Sequence, residues 1–418
     1  MQLKLVSLFG MCVLLGVAWA CSNNRKLVPW RTIGAGLILQ FVFALFILRT
    51  PWGASFFNLL QHVVDKLGDF ALEGAQMVFG PLADKTAVLK IFGPDSSVMF
   101  AIIVAATIIL ISTLSTFFYH YGILQRVVRA MALVMQKFMR TSGSESLAAA
   151  ANIFMGQTEA ALVVKPYLVR MTSSEIMALM TTGMATIASG VMIVYVQMGV
   201  SAGHLLTASV MSAPAALLIA KIMFPETAHS ETAADASATV EITTVNGIDA
   251  LCRGASEGMS LAINVIAMLI AFVAAVALAN FTLAWLQTKC GIAHPVTLQN
   301  VLGWINAPFA WLMGAPTKDC VVFGQILGER IVLNEFIGYL DLTSMVKANA
   351  NALDPRTVTL ATYALCGFAN FSSIAIQIGG IGALAPERRG DLARLGLRAM
   401  VGGLLASYLT ATIAGILI

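Results

Sequence analysis

GQTEAALVVKPYL, residues 156–168, sets an amide, a hydroxyl and a carboxylate side by side and then adds Lys165, inside a chain dominated by apolar residues. Of the 418 residues, 58% are hydrophobic and 11% charged, with a mean hydropathy of +0.84; a soluble domain carries about 25% charged residues. The composition is that of a polytopic membrane protein, with about 20 apolar residues per helical crossing and no room for a large water-soluble domain. An ionisable group at the bilayer centre costs roughly 2.5–3.5 kcal/mol, so Gln157, Thr158, Glu159 and Lys165 need a compensating reason to be there.

The rest of the composition narrows the function. The net charge of +4 comes from basic residues near the ends of apolar segments, a topology signal rather than a nucleic-acid surface, and no nucleic-acid partner is expected. Cys12, Cys21, Cys252, Cys290, Cys320 and Cys366 form no CxxC pair, which gives neither a zinc site nor a disulfide framework. There is no HExxH, and His62, His120, His204, His229 and His294 lie in unrelated segments, so no enzyme and no organic cofactor are expected.

Six whole apolar spans read at 3–20, 32–48, 98–118, 205–224, 261–286 and 396–418, and two interrupted ones at 175–198 and 357–378. Segments 52–70 and 123–140 mix apolar and charged residues at helical spacing, as helices lying in the interface do. Ala18–Ala20 resembles a signal-peptidase site, but Arg25, Lys26 and Arg31 follow at once and hold that end in the cytoplasm. The first segment is therefore expected to stay as a span with the amino terminus outside. Eight crossings then leave four cytoplasmic loops, and all four carry the basic clusters. Segment 225–249, rich in Ala, Thr and acid, reads as a flexible connector.

The opening stretch belongs to a larger pattern. SLAAAANIFM and AALVVKPYLV are apolar arms too short to cross, separated by residues 156–159. Such a pair predicts a re-entrant hairpin, whose irregular tip is tolerated only under protein or in a water-filled cavity. CVVFGQILGERIVLNEFIGYL, 320–340, repeats the pattern, with its break read around Gly324, Gly328, Glu329 and Arg330 and with Asn334 and Glu335 just beyond. Each hairpin is followed by an interrupted span, broken at TTGMATIASG (181–190) or CGFANFSS (366–373), and then by a whole span. This is a repeat of the kind secondary transporters use, with solute and ion bound where broken elements meet. Three spans, 175–198, 205–224 and 261–286, lie between the two hairpins, an odd number of crossings, so the repeat is expected to be inverted. The expected fold is all-α, with eight transmembrane helices, interfacial helices and two opposed re-entrant hairpins. Broken helices free carbonyls and hydroxyls, and Asn152, Thr186 and nearby backbone oxygens suit a hard cation such as sodium. A Thr186 hydroxyl bonded back to its own helix is an equally good reading.

ANIF with GQTEA, NEF at 334–336 and CGFANFSSIAIQIGGIGALAPERRG from Cys366 resemble the concentrative nucleoside transporters, specifically from about residue 142 to the carboxyl terminus. The resemblance implies a homotrimer in a bacterial inner membrane, with a transport domain that moves like an elevator against a scaffold. The expected division is scaffold and interfacial helices at 1–141, a first repeat at 142–224, a connector with a scaffold helix at 225–315, and a second repeat at 316–418. By the same resemblance Gln157, Thr158 and Glu159 face the nucleobase with Val191 and Phe368 packed on it. Glu335 and Asn370 hold the ribose hydroxyls, and Ser373 lies toward the 5′ end. The implied sodium ligands are Asn152, the carbonyls of Met155 and Ile187, and the Thr186 hydroxyl. Carboxylates at the site repel phosphate, so the solute is expected to be uncharged. The alternative is a proton-coupled permease, with Glu159 or Glu335 carrying the proton. The sequence does not rank purine against pyrimidine nucleosides.

Overall fold

A computed structural model gives the fold and describes residues 2–92, 99–232, 244–292, 295–349 and 351–418. Val98, at the head of the third expected span, residues 233–243 of the expected connector, and His294 lie outside the described residues. Among the described residues every regular element is a helix.

The first half comprises α1 (Gln2–Ala20), α2 (Trp30–Arg49), α3 (Pro51–Phe79), α4 (Lys85–Phe92), α5 (Phe100–His120) and α6 (Ile123–Met139), then α7 (Gly143–Ala151), α8 (Glu159–Val163), α9 (Ser173–Ala185), α10 (Ser189–Met198) and α11 (Ala202–Met223). The second comprises α12 (Gly247–Lys289), α13 (Leu298–Leu312), α14 (Cys320–Val332), α15 (Glu335–Ala348), α16 (Pro355–Leu365), α17 (Phe371–Leu384) and α18 (Arg389–Leu417). Among the described residues, seven stretches are long and apolar enough to cross a membrane: α1, α2, α5, α9 with α10, α11, α12 and α18. The eighth expected crossing is split into α16 and α17, and each half is too short to cross alone. Of the two expected interfacial helices, α6 shows its reason most plainly. Val128, Ala132, Met135 and Met139 recur every three or four residues and are buried, while Arg126 and Arg129 lie on its other faces.

The core is the bundle of α9, α11 and α18. Small residues bring these helices together: a Cβ on Gly403 would lie 2.8 Å from the Met184 Cβ, and one on Gly402 would lie 3.0 Å from Thr181 Cγ2. Helix α1 runs along α18, and α2 along α11. A separate pair is formed by α5 and α12, which touch through Gly254 and Gly258. A Cβ at either glycine would lie within 2.8 Å of an α5 Cα. Helix α12 is 43 residues long, well beyond the expected span, because its amino-terminal half continues along α5.

Helix–break–helix units occur in the segments where the sequence predicts them, with polar caps at several of their helix starts. Ser142 and Thr172 start α7 and α9 with capping boxes closed by Glu145 and Glu175. Asn334 caps α15 by accepting from Ile337 N at 3.1 Å, and Asn370 caps α17 by accepting from Ser373 N at 2.9 Å. The second break therefore lies at Leu333–Asn334. The sequence reading placed it at Gly324–Arg330, but α14 runs unbroken through those residues. Gly324 and Gly328 serve close packing instead: a Cβ on Gly324 would lie 2.6 Å from Ala307 N of α13, and one on Gly328 would clash with Leu302.

The two roots of these units sit at opposite ends of α1. Near its carboxyl end, Asn23 N donates to Met223 O, beside the buried pair of Lys221 Nζ and Glu145 Oε2 at 2.6 Å. Near its amino end, Ser7 Oγ donates to Met313 O at 2.9 Å and accepts from Arg356 Nη2 at 3.2 Å. Nineteen helical residues separate these ends by about 28 Å.

Candidate functional site

The tips of the two units meet at the breaks of α9–α10 and α16–α17. Phe368 N donates to Thr186 O at 3.3 Å, joining one break to the other. Gly367 makes that contact geometrically accessible: its φ of +152° is open to glycine, and a Cβ there would lie 2.8 Å from the Ala185 carbonyl carbon. Ser189 Oγ donates to Phe154 O at 2.7 Å and ties the first tip to the same place.

A continuous polar chain crosses this junction. Gln157 Nε2 donates to Ser373 Oγ at 3.3 Å, and Ser373 N donates to Asn370 Oδ1. Asn370 Nδ2 in turn donates to Glu335 Oε2 at 3.2 Å, while Tyr195 OH donates to the other carboxylate oxygen at 2.8 Å. Gln157, Ser373, Asn370, Glu335 and Tyr195 are all buried. An array of amide, hydroxyl and carboxylate groups, each with spare lone pairs or hydrogens, is equipped to bind a neutral polyhydroxylated solute.

A second group of oxygens lies at the first tip and the α9–α10 break. Asn152 is fully buried, its Nδ2 donating to Ala148 O and to Thr182 Oγ1, and its Oδ1 has no partner. Thr186 Oγ1 donates to Thr182 O at 2.9 Å, the back-bond anticipated above, which leaves its lone pairs free to coordinate. Met155 and Ile187 belong to the two segments that the Ser189–Phe154 bond holds together. An orphaned amide oxygen beside hydroxyl and carbonyl oxygens suits a hard monovalent cation.

Models of three parts of one family match the chain: "Na+ dependent nucleoside transporter N-terminus" over 9–82, "Nucleoside recognition" over 101–202 and "Na+ dependent nucleoside transporter C-terminus" over 204–415. An uncharacterized transporter of Haemophilus influenzae is 43% identical over 99% of this chain and 98% of its own. The nucleoside permease NupC of Helicobacter pylori is 38% identical over the same shares. The chain belongs to the Na+-dependent nucleoside transporters. Among solved structures, CNTnw in an inward-facing, substrate-bound state superposes with a TM-score of 0.93 at 37% identity, covering 99% of this chain and 97% of that one. An outward-facing variant of CNTnw gives 0.94. This transporter is thus an all-α, multi-pass membrane protein and not an enzyme.

Of the predicted site residues, the transporter's structure links Gln157, Ser373, Asn370 and Glu335 directly. Thr158 packs its methyl against Gly380 of α17. Glu159 points elsewhere: it is exposed in a cavity of about 240 Å³ lined also by Lys165, Ser189, Arg253 and Glu257, between the first tip and the α5–α12 pair. Val191 is buried in the first turn of α10, and Phe368 is half-buried in the break. The sequence reading missed three participants. Tyr195 and Gln377 each lie four residues, one helical turn, beyond a predicted site residue, Val191 and Ser373 respectively, and that spacing was available as a signal. Arg330 was noted only as part of a break. Fully buried, it donates to Gly367 O at 3.2 Å, to Ala364 O and to Ser407 Oγ at 3.0 Å, so its charge is held by the second broken helix while staying within electrostatic reach of Glu335.

Proposed function

We propose that this chain imports nucleosides by symport with sodium, as a homotrimer in a bacterial inner membrane with its amino terminus outside. The observation that carries this reading is the buried chain Gln157–Ser373–Asn370–Glu335–Tyr195, which joins both tips through both broken helices. In this reading the two units are re-entrant hairpins, supported by roots about 28 Å apart at opposite ends of α1 and tips that meet between them. Residues 142–224 and 316–418 form the transport domain, which moves in an elevator-type cycle past the scaffold that includes α5 and α12.

Gln157 and Thr158 read the base, with Val191 and Phe368 as its apolar neighbours. Glu159 faces the cavity toward α5 and α12, outside this set, and in this reading makes no direct contact with the base. Glu335 and Asn370 take the ribose hydroxyls, and Ser373 lies toward the 5′ end. A carboxylate accepts both donors of a vicinal diol. Sodium sits among Asn152 Oδ1, Thr186 Oγ1 and the carbonyls of Met155 and Ile187. One such charge moving down 100 mV releases about 2.3 kcal/mol, enough to concentrate a neutral solute roughly fifty-fold.

The test is uptake of labelled uridine into proteoliposomes at fixed pH, with and without an inward sodium gradient. Accumulation above equilibrium that requires the gradient is expected. Sodium-independent uptake that follows a pH gradient would overturn the coupling, and equilibration without accumulation would overturn symport.

A further inference from the structure

Gln377 is fully buried in α17, and its amide orientation is fixed by chemistry alone. Its Nε2 lies 3.0 Å from Met180 O, and a backbone carbonyl only accepts, so the nitrogen must face it. That nitrogen has two hydrogens, and the second reaches Gln157 Oε1 at 3.0 Å. An NH₂ group facing a side-chain amide requires its oxygen, so Gln157 is held with Oε1 toward Gln377 and Nε2 away from it, where it meets Ser373 Oγ. Gly183 keeps the two amides in contact: a Cβ there would lie 2.7 Å from Gln377 Nε2 and 2.9 Å from the Gln157 Cβ.

A glutamine is in principle indifferent to edge polarity, because either end of its amide can turn toward a base. The link from Met180 O through Gln377 removes that freedom and leaves Gln157 presenting N–H at the site. Uracil and hypoxanthine offer an exocyclic keto oxygen where cytosine and adenine offer an amino group, so a fixed donor accepts one member of each pair and opposes the other. We infer that Gln377 is a specificity-determining residue that fixes the hydrogen-bond polarity of Gln157, so that this transporter favours nucleosides with a keto oxygen over those with an amine at the same base edge. The inference rests on the proposed placement of Gln157 at the nucleobase.

The experiment is uptake by the full chain in proteoliposomes, measured as Vmax/KM for two pairs, uridine against cytidine and inosine against adenosine. Each keto member is expected to lead by roughly 10-fold. In Gln377→Leu the Gln157 amide is free to turn, and both ratios should fall toward unity through a gain for the amino members, which loss of folded protein does not produce. Gln377→Met, close in volume to glutamine, gives a second variant if Leu expresses poorly, with the same expectation. Ratios unchanged in both variants, or a wild-type preference for cytidine and adenosine, would overturn the inference. Gln157→Ala separates the two failures. If it leaves uptake of all four nucleosides unaltered, the placement of Gln157 is wrong; if it alters uptake while the Gln377 variants keep the ratios, only the polarity relay fails.

Discussion

Replacing Glu335 with Gln tests the ribose end of the site by arithmetic. Each carboxylate oxygen already accepts one bond, from Tyr195 OH at 2.8 Å or Asn370 Nδ2 at 3.2 Å. Each retains a second lone pair, and two accepting positions on adjacent oxygens match the two hydroxyls of a vicinal diol. The glutamine amide loses one acceptor and places N–H against a donor. A hydrogen bond to a charged group contributes about 1.5–3 kcal/mol and a neutral one about 0.5–1.5. The change should therefore remove about 1–1.5 kcal/mol per hydroxyl, or roughly 30- to 150-fold in Vmax/KM for uridine. Uridine and 3′-deoxyuridine should be compared in wild type and Glu335→Gln as a double-mutant cycle. Wild type should lose the full contribution of the missing hydroxyl, whereas the variant should lose roughly 5- to 12-fold less, a coupling of about 1–1.5 kcal/mol. Equal deoxy penalties in both proteins would place the ribose away from Glu335.

Thr186→Ala should raise the sodium concentration for half-maximal uptake several-fold, and an unchanged sodium curve would remove this hydroxyl from the ligand set. Lys221→Met should cost about 3–5 kcal/mol, read as a lower melting temperature in detergent, because it strands the buried Glu145 carboxylate 2.6 Å from the lost ammonium. Adding Glu145→Gln to that variant should restore at least half of the loss, and a purely additive double variant would show that the pair is not coupled. Gly258→Leu should cost at least about 1–3 kcal/mol and reduce the yield of folded protein, since its Cβ would lie 2.8 Å from Ile109 Cα.

The spans, the amphipathic helix α6 and both interrupted helices were legible because apolar length and periodicity are local properties. The tip residues were legible for a related reason: polar side chains amid hydrocarbon stand out one by one. The break before Glu335 was misplaced because glycine carries two meanings. In the sequence Gly324 and Gly328 look like breakers, and only the approach of α13 shows that they are packing residues inside an unbroken helix. Gln377 and Tyr195 escaped notice because a single polar residue in an apolar helix has no meaning until its partner, 220 or 140 positions away, is known. The residue family at Glu159 was read correctly as polar and out of place, but its direction, toward α5 and α12 rather than toward Glu335, is a property of packing alone.

The placement of charge explains why the tips, and not the roots, are where a solute can act. At one root Lys221 pairs with buried Glu145 and half-buried Glu226, and Thr172, whose N–H donates to Glu175, donates its hydroxyl to Glu226. At the other, Asp319 accepts from Asp354 N at 2.9 Å and Thr357 Oγ1 at 2.7 Å, while Arg356 donates to Gly314 O at 2.8 Å and Gly415 O at 2.6 Å. Breaking the buried Lys221–Glu145 pair costs about 3–5 kcal/mol, so the first root does not open at thermal energies. The tips are joined to the breaks by neutral bonds, Gln157 to Ser373 at 3.3 Å and Phe368 N to Thr186 O at 3.3 Å, and by the bonds that Asn370 and Tyr195 donate to the Glu335 carboxylate at 3.2 and 2.8 Å. A neutral bond contributes about 0.5–1.5 kcal/mol, which a nucleoside offering an equivalent donor or acceptor can replace one for one. In the proposed reading, the chain of groups that links the two tips is therefore the chain a solute must substitute.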